Sequence, residues 1–192
     1  MKVLLLDNYD SFTYMLGDYI KQCGATYFVL RNDDEKLMQL QHHDFDACVI
    51  SPGPQRPDDA FLLLPFIKKW VQHKPVLGIC LGHQALGEYF GATLVKARLP
   101  RHGKVDKVIH TGNILFDDVA QTFNATRYHS LVLKSLSNEL IETCSCEDEM
   151  MGIAHKTLPV WGLQFHPESC ETEFGLQILK NFFIQVKKIA HS

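Results

Sequence analysis

The distribution of apolar and polar positions divides the chain into two regimes. In the first ninety residues, short unbroken apolar runs alternate with amphipathic stretches. Lys2-Val3-Leu4-Leu5-Leu6 is such a run, the signature of a strand buried on both faces of a parallel sheet. It stops at Asp7-Asn8, and Asp10 or Ser11 can cap a helix over residues 12–23 that Gly24 closes. Residues 27–30 read as a second strand, 35–41 as a short helix, and 47–50 as a third strand ending in Ser51-Pro52-Gly53-Pro54. An amphipathic helix over 61–71 leads to a fourth strand, bounded at its start by Lys74-Pro75. Strands alternating with helices predict a parallel sheet with right-handed crossovers.

From Ala92 the pattern changes. Residues 93–96, 105–109, 113–116, 126–128, 141–146 and 151–155 are short strand candidates with few helices between them. A strand from Val160 runs into His166. A last helix over 174–187 carries apolar residues at Phe174, Ile178, Leu179, Phe182, Phe183 and Val186. The expected fold is α/β: an open, mainly parallel twisted sheet flanked by helices, with a smaller antiparallel or mixed section. It forms one domain over residues 1–192; two small domains divided near residue 91 are the alternative.

Composition fits that picture. The 192 residues are 46% apolar and 21% charged, ordinary for a soluble globular domain. Nineteen Lys and Arg against 22 Asp and Glu give a net charge of −3 with no basic run, which favours neither nucleic acid nor an anionic membrane. Six cysteines include no C-x-x-C pair, and Cys144-x-Cys146 is too tight for a zinc clip. No leader and no apolar run of spanning length is evident, so the chain is read as cytoplasmic with reduced thiols. Asp7, Asp10, Asp33 and Asp34 read as cap and turn residues, and no metal cluster is visible.

One stretch carries chemistry. After the fourth strand, Gly78, Cys80 and Gly82 have the spacing of a nucleophile elbow, with a thiol in place of the hydroxyl. A helix follows from Gln84 and stops at Gly91. A strand turning sharply into a helix pushes its turn residue outward, and the helix N-terminus favours a thiolate. Cys80 alone would read as an inert buried cysteine. A nucleophile needs a base, however, and the base needs an orienting group. In Gln164-Phe165-His166-Pro167-Glu168-Ser169, Pro167 favours extended backbone at His166. His166 and Glu168 then project to one side, the orienting half of a Cys–His–Glu triad. Attack on an amide creates an oxyanion needing two donors, for which the amides of Leu81 and Gly53 are candidates. His83 and His129 lack an adjacent carboxylate and read as structural or supporting.

These motifs, with Asp7-Asn8-Tyr9-Asp10-Ser11-Phe12-Thr13 and Arg127-Tyr128-His129-Ser130-Leu131, resemble class I (triad) glutamine amidotransferases. Within them they resemble the small subunits of anthranilate synthase and aminodeoxychorismate synthase, from Lys2 to about Phe183. The resemblance implies L-glutamine as substrate, with Gly53, Gln84, Ser130 and Leu131 binding it. It also implies ammonia passed to a chorismate-binding synthase large subunit, and a triad that needs no metal or organic cofactor. Asp7–Asp10 and Met151-Gly152-Ile153 look closer to the para-aminobenzoate branch than to the tryptophan branch, and some members serve both. His102-Gly103-Lys104 matches a segment near the partner interface. One departure is Gly53-Pro54-Gln55-Arg56-Pro57, where the family often has a second glycine at the position of Gln55. Another cysteine hydrolase on a related sheet would keep Cys80 but has no reason to carry His-Pro-Glu; a non-catalytic binding subunit would keep the triad for shape alone.

Overall fold

A computed structural model describes residues 1–191; Ser192, the last residue of the expected 1–192 span, lies outside the described residues. The parallel half forms as the apolar runs require. Strands β1 (Lys2–Asp7), β2 (Thr26–Arg31), β3 (Ala47–Ile50) and β4 (Val76–Ile79) pair in the order β2-β1-β3-β4, all parallel. Helix α1 (Thr13–Gln22) joins β1 to β2, the short α2 (Lys36–Gln39) precedes β3, and α3 (Leu63–Trp70) leads to β4. Helix α4 (Leu81–Tyr89) follows β4 directly. Both α1 and α4 end in a glycine of left-handed φ, Gly24 and Gly91, whose own amide and the one after it bond back to the last turn. The expected caps sit one step earlier: Asp10 Oδ1 accepts from the Phe12 amide at 2.8 Å, and no side chain caps α1 itself.

The short strands of the second half extend the same sheet rather than packing beside it. Strand β11 (Val160–Leu163) pairs parallel with β4. Beyond it, β10 (Glu149–His155), β9 (Leu140–Cys146), β6 (Lys104–His110) and β7 (Thr122–Arg127) follow antiparallel, completing nine strands. Strand β5 (Thr93–Lys96) pairs with β8 (Leu131–Lys134) in a separate two-stranded ribbon. Residues 113–116, expected as a strand, include instead a 3₁₀ turn at Ile114–Phe116, because the Asn113 side chain accepts from the Leu115 amide and caps it. β8 was not anticipated, and α3 starts two residues later than expected because Phe61 has a left-handed φ of 44°.

Alternate residues of β1 feed opposite faces: Val3 and Leu5 join one apolar cluster, Leu4 and Leu6 the other. On the first face lie α1, through Leu16 and Ile20, and α5 (Gly175–Ala190), through Ile178, Leu179, Phe182 and Val186. On the second lie α3, through Phe66 and Ile67, and α4, through Ala85 and Leu86. The antiparallel half also curls back on itself. β7 is the sheet's far edge, yet Thr126 forms a bridge with His166, just past β11, and accepts its amide at 3.0 Å.

Candidate active site

The carboxyl ends of β3, β4 and β11 bring Gly53, Cys80 and His166 to one edge, as expected for an open α/β sheet. Cys80 sits between β4 and α4 with φ 50° and ψ −99°, a conformation that costs L-residues on the order of 1–3 kcal/mol. Packing enforces it. A Cβ on Gly78 would stand 2.5 Å from the Gly82 carbonyl, and one on Gly82 would meet Ile50 at 2.8 Å. The strand and helix therefore approach closely enough to leave Cys80 at the apex, 6% exposed. Its own amide donates to the Leu163 carbonyl at 2.8 Å, tying the elbow to β11.

His166 Nδ1 and Glu168 Oε1 are 2.7 Å apart, and both residues are buried. The turn that holds them is strapped to β7: Thr172 Oγ1 donates to the His166 carbonyl at 2.6 Å and accepts the Thr126 amide at 3.0 Å. The start of α5 seats against the same turn, where a Cβ on Gly175 would collide with the Pro167 carbonyl. Phe12 and Tyr128 flank the imidazole edge-on, with centroids 5.3 and 5.1 Å away. Nε2 has no conventional hydrogen bond, and the Cys80 sulfur is the neighbour that acts on its charge. Burial disfavours the charged ring, but Cys80 and Glu168 outweigh it and raise His166 to about 10. The arrangement thus favours the protonated ring of His166 beside the Cys80 sulfur.

A cleft of about 180 Å³ opens on Cys80, lined by Gly53, Pro54, Gln55, Gln84 and residues 128–131. Leu81 opens α4, so its amide lacks an acceptor one turn back. The glycine at 53 serves close approach: a Cβ there would meet Asn8 Cβ at 2.5 Å and Leu81 Cδ2 at 2.7 Å. Asn8 also fixes the loop's base, donating Nδ2 to the Ser51 carbonyl at 2.9 Å and its amide to Ser51 Oγ at 2.8 Å. Gln55 has a φ of 66°, so it occupies the left-handed conformation that a glycine takes without strain. Ser130 and Leu131 reach the cleft wall where β8 begins.

The two other histidines near the elbow are held neutral. Burial pushes His83 down to about 3, and its Nδ1 lies against Gly162. Burial, helped by the Arg127 guanidinium, does the same to His129, whose Nε2 accepts from Arg127 Nε at 3.1 Å. Gln84, which as a bare helix position would be read as surface, is buried and donates to the Leu131 carbonyl at 3.1 Å. Sequence reasoning gave no role to Asn8, Phe12, Tyr128 or Gln164. The signal for Gln164 was its polarity inside the apolar run before His166. Among the described residues no group of three or more His, Cys, Asp or Glu could hold a metal ion.

Comparison with known proteins places this geometry in a family. A sequence model of class-I glutamine amidotransferases matches residues 4–186. The chain is 44% identical over 191 residues to anthranilate synthase component 2 of Azospirillum brasilense, covering 97% of each. It is 43% identical over 190 residues to aminodeoxychorismate synthase component 2 of Serratia marcescens, covering 94% of this chain and 98% of that one. Among solved structures, a Thermoplasma acidophilum protein described as a GMP synthase subunit superposes with a TM-score of 0.90 at 26% identity, over all of this chain and 96% of that one. The chain belongs to the class-I glutamine amidotransferase family.

Proposed function

We propose that the chain is a single glutaminase domain that hydrolyses L-glutamine to glutamate and hands the ammonia to a chorismate-binding synthase subunit. The observation that carries this is the buried His166–Glu168 pair beside Cys80 at the mouth of the cleft. In the proposed reaction the Cys80 thiolate attacks the side-chain amide carbon. The oxyanion takes hydrogen bonds from the Gly53 and Leu81 amides. His166 gives its proton to the leaving nitrogen, which departs as ammonia and leaves a glutamyl thioester. Neutral His166 then takes a proton from water, whose oxygen attacks the thioester, and glutamate leaves as the Cys80 thiolate and protonated His166 reform. Glu168 orients the imidazole throughout. Gln84, Ser130 and Leu131 hold the amino-acid end of the substrate.

The synthase named in the relatives supplies the partner. Residues Asp7-Asn8-Tyr9-Asp10 and Met151-Gly152-Ile153 favour the aminodeoxychorismate branch of folate synthesis, and the equal likeness to anthranilate synthase component 2 supports the tryptophan branch as the second reading. A glutamine analogue carrying an electrophile is expected to label Cys80 and no other of the six cysteines, with glutamine protecting it. Preferential labelling of Cys48 or Cys170 overturns the assignment. Glutamate release is expected to be slow in the isolated chain and to rise about 10²–10³-fold with chorismate and the large subunit, if the partner turns the Gly53 amide toward the oxyanion. Ammonium salts then replace this chain in product formation, and the product identifies the branch. Equal turnover with and without the partner removes the gating while leaving the triad standing.

A further inference from the structure

The Cys80 sulfur has a polar neighbour that the triad does not use. Gln164 lies one residue past β11 and two before His166, with no exposed surface. Its amide donates to the Met151 carbonyl at 2.9 Å, fixing the backbone. Its side-chain Nε2 stands 3.6 Å from Cys80 Sγ, and its Oε1 stands 3.1 Å from Gln84 Nε2. Gln84 Nε2 is also 3.1 Å from the Leu131 carbonyl oxygen. A buried amide is costly unless its polar atoms are bonded, and here both ends of Gln164 are engaged.

The direction of this relay follows from its last member. A backbone carbonyl can only accept, so the atom of Gln84 that meets Leu131 must be the NH₂ group. That NH₂ has a second hydrogen, directed at Gln164, whose facing atom must then be oxygen. The NH₂ of Gln164 is left toward Cys80. Reversing either side chain would set oxygen against oxygen or NH₂ against NH₂. The Leu131 carbonyl therefore determines, two side chains away, that the sulfur receives a donor. Donors to an ionised acceptor form stronger bonds than donors to a neutral one, so the contact favours the anion over the thiol. Both Nε2 hydrogens of Gln84, a residue of the cleft wall, are spent in the relay, leaving Oε1 as its acceptor.

We propose that Gln164 is a further catalytic residue, whose Nε2–H, aimed by the Gln84–Leu131 relay, holds the Cys80 sulfur as the thiolate. The proposal rests on Cys80 being the nucleophile. Two substitutions test it: Gln164→Met keeps the length without a donor, and Gln164→Glu keeps the shape with an acceptor in the donor's place. The rate of Cys80 alkylation by iodoacetamide is followed from about pH 5 to 10, with thermal unfolding as the check on folding. The pH of half-maximal alkylation is expected to rise by about one unit in Gln164→Met and further in Gln164→Glu. At pH 7 kcat is expected to fall about tenfold or more while KM changes by less. A pure packing role would lower turnover with the alkylation profile unmoved, and that result overturns the proposal.

Should neither variant fold, the wild-type chain carries the test. Its glutamine side-chain NH₂ resonances are compared by NMR before and after alkylation of Cys80. The Gln164 pair is expected to shift, and its failure to move overturns the relay. Wild-type chain in which Cys80 resists alkylation at every pH would bring down the nucleophile assignment, and the relay with it. Normal labelling with unshifted variants sinks the relay alone.

Discussion

At the scale of single residues, the environment separates one histidine from two others. His166 lies between Glu168 and the Cys80 sulfur and is raised to about 10, whereas His83 and His129 are buried without a carboxylate and pushed down to about 3. His166→Asn is therefore expected to remove nearly as much glutaminase activity as Cys80→Ser, several orders of magnitude in each case, because triad members act as a unit. Glu168→Gln is expected to be milder, since an amide still holds Nδ1 but does not stabilise the imidazolium. Steady-state glutamate release with the partner present measures all three, and a fully active His166→Asn variant would make another group the base. The placement of Cys80, His166 and Glu168 is legible in the sequence because Gly-x-Cys-x-Gly and His-Pro-Glu each set their geometry within a few residues. That of Gln164 is not, because its role depends on a carbonyl from a strand 33 positions upstream (Leu131 against Gln164), and such a pairing leaves no local spacing.

Among the elements, the parallel half was legible and the antiparallel half only in part. Continuous apolar runs such as Val3–Leu6 have one stable use, burial on both faces, and the two core clusters realise it. After Ala92 exposed and buried positions mix along strands such as β6 and β9, so the pattern marks strands without giving their order in the sheet. β8 (Leu131–Lys134) carries no separate signature, since it begins within the cleft wall directly after Arg127-Tyr128-His129-Ser130. The junction of α5 with the His-Pro-Glu turn gives a sharp prediction. Gly175 has a helical role, yet its α-hydrogen faces the Pro167 carbonyl where no methyl group fits. Gly175→Ala is expected to push that turn away from Cys80, lowering kcat by more than tenfold while far-ultraviolet circular dichroism shows the helix intact. Activity within twofold of wild type would mean that the turn yields without disturbing His166.

For the whole molecule, the buried histidines shape the response of stability to pH. Burial pushes His83 and His129 down to about 3, so they stay neutral in the folded state at mildly acidic pH, whereas in the unfolded chain they charge below about pH 6.5. Stability is thus lost as pH falls from about 6.5, by about 1.4 kcal/mol per pH unit for each histidine at the limit. His166 acts in the other direction. Its raised folded value contributes stability that is full below about 6.5 and declines as pH rises toward 10. The thermal midpoint is expected to peak near pH 6.5 and fall on both sides. A profile flat from pH 6.5 to 4.5 contradicts the neutral burial of His83 and His129.

The bridge between Thr126 and His166 has a consequence for the order in which the molecule breathes. His166 belongs to no strand, and a loop amide ordinarily exchanges with solvent quickly. Here that amide is gripped by the far edge of the rolled half-sheet, 40 residues earlier in the chain, and Thr172 clamps the same junction. Deuterium should therefore enter at His166 only when β7 itself lifts off, and the two should be replaced at a common rate. The His166 imidazole is then expected to leave the site as one piece with that edge, and exchange at His166 faster than at Thr126 would show the bridge opening alone.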